Sequence, residues 1–326
     1  MQNSEKWQLV FDTLISNYRD EINTQLLSVY SIGPKSLVEP INYVLSGKGK
    51  RVRPILTLFT AESFGGTNTD SMSAALAVEI LHNFTLVHDD IMDEDNIRHG
   101  KPTVHHRWDI GTAILSGDAM LSLALKMIQR SPQYKTKLMS SFIDGLQAVC
   151  EGQAYDKEFE SREDVTLDEY IHMIDLKTGY LIGLSAELGA ISVGAKDDDV
   201  IKVRDYGRLI GRAFQIQDDL LEIYSNTSNM GKSLESDLLL GKKTYLMIQA
   251  KGTLSYELNE ALALAQENFS DGLEKVRILL SDSGIHKKTQ EKIESIIKEA
   301  DLLLTELDLN TEKLSLFSTL ITNRGN

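Results

Sequence analysis

The stretch TLVHDDIMDED, Thr85 to Asp95, sets five carboxylates into the seven residues from Asp89 to Asp95, on the end of an apolar run. Like charges at helical spacing repel and raise one another's pKa, so a positive partner is expected. The run that carries them, 74–92, is apolar nearly all round, as is 179–194. Helices of that kind lie in the middle of a large bundle. Working outward, helical periodicity predicts helices near 5–30, 36–46, 53–64, 69–97, 110–130, 134–160, 167–194 and 197–225. It predicts further helices near 239–250, 254–268, 272–282, 286–307 and 311–322. TLDE, Thr166 to Glu169, is a capping box that opens one of them. Breaks fall at Gly33-Pro34, Gly65-Gly66, Gly100 to Pro102, Ser131-Pro132 and Asn226 to Gly231. No alternating β-branched run competes, so the expected fold class is all-α, a single large helical bundle.

The composition agrees. Hydrophobic residues make up 42% and charged residues 25% of 326, ordinary for a globular chain. No Gly/Ser/Pro-rich linker divides it, so one domain over 1–326 is expected. A single cysteine, Cys150, leaves no internal disulfide and no sign of an oxidising compartment. The N-terminus alternates at helical spacing and lacks the pattern of a signal peptide, and no stretch reads as a membrane span. A cytoplasmic protein is expected. The formal charge of -14 excludes nucleic acid as a natural partner, because phosphate backbones call for a basic face.

A second acidic cluster recurs in FQIQDDLLE, with Gln215, Asp218, Asp219 and Glu222 at i, i+3, i+4 and i+7. In the first, Asp89 and Asp93 are one turn apart, Asp90 flanks them, and His82 lies two turns earlier on nearly the same line. One such cluster alone reads as a solvated helix end. Acid at a helix C-terminus is unfavourable, and the same D-D-x-x-D/E pattern twice makes coincidence less attractive. Aspartate oxygens on rigid helices suit Mg²⁺, a hard ion that keeps waters and shares its shell with phosphate. Two clusters facing each other would hold several Mg²⁺ ions around a diphosphate. Cations lie nearby in sequence. GKGKRVRP brings Lys48, Lys50, Arg51 and Arg53; IRHGKPT brings Arg98, His99 and Lys101. LKTGY places Lys177 and Thr178 in an apolar helix, where a lysine calls for an anion. GKSLESDLLLGKKT adds Lys232, Lys242 and Lys243. Each taken singly is an ordinary surface patch; their place beside the acidic clusters is what points to a site.

The combination of G-K-R-x-R-P, D-D-x-x-D with R-x-G-x-P-T behind it, K-T, F-Q-I-x-D-D-x-x-[DE] and G-K-x-x-x-S-D-x-x-x-G-K-K-T resembles the trans-isoprenyl diphosphate synthases, the polyprenyl synthetase family. The motifs run in family order from about 47 to 245. The resemblance implies an all-α homodimer with a deep central cavity. It implies condensation of isopentenyl diphosphate with an allylic diphosphate (dimethylallyl, geranyl or farnesyl). Ionisation of the allylic C–O bond, attack by the isopentenyl double bond and loss of a proton then follow, with pyrophosphate as the implied base. Metal ions and cations stabilise the departing charge, and an apolar cavity shields the carbocation from water.

By the same resemblance Asp89, Asp90, Asp93, Asp218, Asp219 and Glu222 serve the metal. Arg98, Lys177, Thr178, Gln215, Lys232 and Lys242 hold the allylic diphosphate. Lys50, Arg53 and His82 hold isopentenyl diphosphate, joined by His99. Three positions depart from the family pattern. His99 stands where a second arginine is usual, so its charge would depend on pH. Glu222 is one methylene longer than aspartate, and Lys48 replaces a usual glycine. The family uses the helix of the first cluster as a ruler for product length, which brings in Leu81, Phe84 and Thr85. Phe84 lies roughly 7.5 Å before Asp89 along the axis. A ring there, Thr85 in place of a second aromatic, and no insertion in the cluster resemble geranylgeranyl synthases with a twenty-carbon product. Plain core packing of Phe84 is the competing reading, and a longer product follows if the chain slips past the ring. A terpene cyclase is disfavoured by the second aspartate cluster and the basic motif. A non-catalytic subunit is disfavoured because the aspartates are kept. A catalytic subunit within a hetero-oligomer stays open.

Overall fold

The computed structural model describes residues 2–47, 49–224 and 242–322. Lys48 and Lys232 therefore lie outside the described residues. Fifteen helices follow in chain order among those described, with one two-stranded hairpin and one π-turn. The chain divides into two compact units, Met1–Leu146 with Leu184–Val203, and Gln147–Gly183 with Arg204–Asn326.

The first unit holds α1 (Gln2–Ser28), α2 (Lys35–Leu45), α3 (Val52–Ser63), α4 (Asn68–Met92), α5 (Val104–Arg107) and α6 (Ile110–Arg130). Its centre is α4, where Ala74, Ala77, Val78 and Leu81 are fully buried. Small residues let α3 and α6 pack closely against it, and Phe59 of α3 stacks edge-on to Tyr18 of α1 at 5.3 Å. Burying a side chain of that size contributes about 1.5–3 kcal/mol. The helix starts on Thr67, whose backbone N–H and hydroxyl both donate to Asp70, at 2.9 and 2.7 Å.

The expected helix 69–97 stops earlier, at Met92. Glu94 adopts a left-handed φ of 56°, Asp95 N–H returns to Asp90 C=O at 2.9 Å and Glu94 N–H to Ile91 C=O at 3.4 Å. This is a Schellman stop, and it leaves Asp93 as the C-cap rather than inside the helix. Behind it, β1 (Ile97–Arg98) and β2 (Lys101–Pro102) pair antiparallel across His99 and Gly100, with φ of 50° and 73°. Positive φ at both central residues defines a two-residue hairpin turn. Neither the hairpin nor the short α5 is visible as a periodicity.

One helix among those described, α6, is long and apolar enough to cross a membrane, where the sequence reading expected none. One side packs on α4, and the other exposes Ile110, Ile114 and Leu115.

Three helices pass through the boundaries of the units: α7 (Lys135–Ser161), α9 (Tyr180–Ser192) and α10 (Asp197–Tyr224). The second unit adds α8 (Leu167–Ile174) and the π-turn Asp175–Gly179. It continues with α11 (Tyr245–Thr253), α12 (Ser255–Glu267), α13 (Phe269–Asp282), α14 (Ile285–Thr305) and α15 (Glu312–Thr322). The expected capping box forms: Thr166 Oγ1 accepts from Glu169 N–H at 3.2 Å, and Glu169 accepts from Thr166 N–H at 2.8 Å. Buried Tyr206 donates to Leu314 C=O at 2.6 Å, which ties α15 to α10.

Candidate active site

In the first unit the basic motif is organised by Arg51, which has φ 53° and is 4% exposed. Its guanidinium donates to Glu79 at 2.6 Å, Asn23 at 2.9 Å, Leu45 C=O at 2.8 Å and Gly47 C=O at 2.7 Å. Arg51 is thus a buried brace between the loop and α4. Its neighbours Lys50 and Arg53 are exposed and half-buried. His82, on α4, is pushed well below its ordinary pKa by burial first, then by Arg53, Arg98, Arg51 and His99. Arg51, Arg53, Arg98 and His99 thus lie close enough to His82 to bear on its charge. His99 is lowered too, by burial and by Arg98.

The first cluster divides. Asp90 is 5% exposed and paired with Arg98 Nε, and Arg98 also reaches Asp95 at 3.4 Å. Burial pushes Asp90 up to about 6, against the pull of Arg98. Asp89 is half-buried and Asp93 exposed. One turn and more before them, Leu81 is fully buried and Phe84 8% exposed; Thr85 donates to His82 C=O at 2.8 Å. The Phe84 ring lies 4.7 Å from that of His88.

The second cluster, in the second unit, divides in the same way. Asp219 is 4% exposed. It accepts from the Tyr170 hydroxyl, from Tyr245 N–H at 2.9 Å and from Gln215 Nε2 at 3.2 Å. Burial raises its pKa; these donors, and then Lys242, oppose the rise. Thr178 Oγ1 donates to Gln215 Oε1 at 3.0 Å, so Thr178, Gln215 and Asp219 form one relay of hydrogen bonds. Asp218 and Glu222 are half-buried on the same helix, and Lys242 is exposed.

Lys177 and Thr178 sit in the π-turn, a wider i→i+5 winding that recurs at functional sites. A Cβ on Gly152 would lie 2.3 Å from Lys177 N, and one on Gly211 would lie 2.6 Å from Gly179 Cα, so the turn is clamped by two close approaches. The anion expected for Lys177 is Asp156 of α7, at 2.5 Å. The turn is also anchored by Asp175, 7% exposed, paired with Arg208 and with Arg212 Nε at 3.2 Å. Sequence reasoning missed Asp156, Tyr170, Asp175, Arg208 and Arg212. The two arginines were detectable as an i, i+4 pair, two turns and one turn before Gln215.

Among the described residues, no three His, Cys, Asp or Glu side chains close into a metal cage. Asp90 and Asp219 are engaged with protein donors. Asp89 with Asp93, and Asp218 with Glu222, are the more exposed carboxylates of each cluster, all oxygen donors. That set fits Mg²⁺, which binds through one or two carboxylates and takes the rest from water and substrate phosphate.

These features define a class of protein: an all-α chain with an aspartate cluster in each of its two units. Residues 34–279 match the model of the polyprenyl synthetase family, and the chain belongs to that family. It is an enzyme, a trans-prenyltransferase. It is 41% identical over 254 residues to a geranylgeranyl diphosphate synthase of Saccharolobus solfataricus, covering 76% of this chain and 75% of the other. It is 38% identical over 241 residues to a geranylfarnesyl diphosphate synthase of Natronomonas pharaonis, covering 67% and 70%. The crystal structure of a geranylgeranyl pyrophosphate synthetase from Pyrococcus horikoshii matches with a TM-score of 0.88 and 33% identity, over 98% of this chain and 99% of that one.

Proposed function

We propose that the protein condenses isopentenyl diphosphate with an allylic diphosphate, head to tail and in trans geometry, and that its product is geranylgeranyl diphosphate. The observation that carries the reading is the matching division of the two clusters. In each, the second carboxylate is buried and held by protein donors, and the flanking carboxylates of the motif are more exposed. Asp89, Asp93, Asp218 and Glu222 would hold Mg²⁺, while Asp90 and Asp219 fix the clusters in place. When bound, Mg²⁺ supplies positive charge that favours departure of the diphosphate. Arg98, Lys177, Gln215 and Lys242, with Lys232 outside the described residues, bind and orient the allylic diphosphate. Thr178 orients Gln215. Lys50, Arg53 and His82 hold isopentenyl diphosphate, with His99 beside them. Leu81, Phe84 and Thr85 bound the growing tail.

The whole chain acts as one catalytic domain in the cytoplasm, as a homodimer. The exposed apolar side of α6, with Ile110, Ile114 and Leu115, supports the last point. A longer product is the second reading, favoured by the geranylfarnesyl synthase among the relatives. Purified protein incubated with Mg²⁺, isopentenyl diphosphate and farnesyl diphosphate tests both by mass spectrometry. A twenty-carbon diphosphate is expected. A product of twenty-five carbons or more selects the second reading, and no product from folded protein overturns self-sufficient activity and points to a partner subunit.

A further inference from the structure

A cavity of about 1170 Å³ opens in the second unit, walled by the end of α7, the first turn of α8, Lys242-Lys243, α11, and the starts of α12 and α14. It is somewhat larger than the ~300–1,000 Å³ usual for small-ligand pockets. Its floor is apolar, with Leu167, Met247, Leu254, Leu258 and Ile285. Its polar lining is biased to one sign. Arg162, Lys243, Lys251 and Lys288 outnumber Glu160, Glu163 and Asp164, and Lys242, assigned above to the allylic diphosphate, lines it as well, in a chain whose formal charge is -14. Lys251 balances Asp164 at 3.2 Å, and Arg162 pairs with Glu169 at 2.8 Å. The first turns of α12 and α14 also open here, and neither helix has a side-chain cap. Their N–H groups and positive dipole ends favour an anion. An apolar floor with a cationic rim matches a ligand with a long apolar chain and a phosphate-type head.

The walls are also the elements that hold the second cluster. Tyr170, which donates to Asp219, lies one turn into α8 from Leu167. Tyr245, whose N–H donates to Asp219, opens α11 between Lys243 and Met247. A ligand wedged between α8 and α11 acts on both donors at once.

We propose that this cavity is a second binding site for an amphiphilic anion, that its occupant is the enzyme's own prenyl diphosphate product, and that occupancy slows turnover by displacing the donors of Asp219. The identity of the occupant rests on the reading given under Proposed function; the site itself does not. Gly252 lines the cavity, and a Cβ there meets nothing within 4 Å, so Gly252→Trp adds bulk at the wall from a position open at its first carbon. Lys251 and Lys288 are exposed, so Lys251→Glu with Lys288→Glu reverses the rim without disturbing the core.

The test is equilibrium dialysis of radiolabelled geranylgeranyl diphosphate against full-length protein whose active site is saturated with Mg²⁺ and farnesyl S-thiolodiphosphate. One equivalent per chain is expected to remain bound to the wild type. Affinity should fall at least tenfold in each variant, and initial rates without added product should stay within twofold. Added product should inhibit the wild type even at saturating substrate, and both variants should lose that inhibition. Inorganic pyrophosphate alone should displace the label at least tenfold less well than the whole ligand. Absence of binding to the blocked enzyme overturns the proposal, as does binding unchanged in folded Gly252→Trp. Dodecyl phosphate binding more tightly than the prenyl diphosphate overturns the assignment of the occupant. A chain that makes no product but retains the second equivalent would overturn the proposed function and leave the site standing.

Discussion

The two acidic clusters are spelled almost alike, yet the protein anchors them by different physics. Asp90 is held by a cation, Arg98, whose side chain is 31% exposed and sits on a short hairpin. Asp219 is held by neutral donors from three elements: Tyr170 on α8, Tyr245 on α11 and Gln215 on its own helix. A partly solvated ion pair gains little, because water competes for both charges. A buried carboxylate that accepts several hydrogen bonds is rigid, and an unpaired donor left in its place is costly. The comparison teaches that D-D-x-x-D/E specifies a division of labour, with the second carboxylate turned inward. What receives that carboxylate is decided elsewhere in the chain.

The largest effect belongs to the carboxylates assigned to the ligand side. Asp89→Ala and Asp218→Ala should each lower kcat by on the order of 10³, the scale of losing electrostatic stabilisation of a departing group. Thermal melting should barely move. A melting loss comparable to that of the inward pair would break the division of labour.

The inward pair should behave in the opposite sense, and unequally. Asp219→Ala leaves two buried donors, the Tyr170 hydroxyl and Tyr245 N–H, without an acceptor, at about 1–3 kcal/mol each, so urea unfolding should show a loss of at least ~2 kcal/mol. Asp90→Ala leaves Arg98 able to turn to water or to Asp95, and the loss should stay near ~1 kcal/mol. Equal losses would mean that the nature of the anchor does not matter.

The pH dependence sharpens the same contrast. Asp90 titrates near 6 because burial outweighs Arg98. A raised carboxyl pKa gives stability that is present at low pH and lost as pH rises through the folded value. In EDTA, wild type should therefore gain stability relative to Asp90→Asn as pH falls from about 6 toward the ordinary carboxylate range near 4. A constant difference across that window would assign the pair a net attraction that burial does not erode.

Much of this was legible in advance. The helices follow from apolar spacing, and α4 and α9 declare themselves as central because they are apolar all round. Both clusters and the basic motifs stand out by charge in an apolar context. The division within each cluster was not legible, since Asp89 and Asp90 are identical letters and only Arg98 and the Schellman stop distinguish them. The π-turn was hidden because its winding is set by close approaches at Gly152 and Gly211, not by local propensity. Asp156 and Asp175 belong to no local pattern, because their partners lie 21 and 33 residues away. The division into two compact units leaves no mark in composition, because its boundaries fall inside helices.

The smallest effect tests how far the rigidity of the second anchor depends on the start of α8. Glu169 closes the capping box and pairs with Arg162, and these contacts hold its carboxyl down to about 2. A lowered carboxyl pKa gives stability that is present above the ordinary value and lost as pH falls through the folded one. Glu169→Gln keeps a hydrogen-bond acceptor but not the charge. It should lower the melting temperature slightly at pH 7, and the difference should shrink as pH drops from about 4.5 toward 2. Because Tyr170 follows directly, the variant should also raise KM for the allylic diphosphate by a small factor, with kcat unchanged. Tyr170→Phe, which removes the hydroxyl itself, should exceed it in both respects. A larger effect from Glu169→Gln than from Tyr170→Phe would show that the helix start, rather than the tyrosine hydrogen bond, sets the position of Asp219.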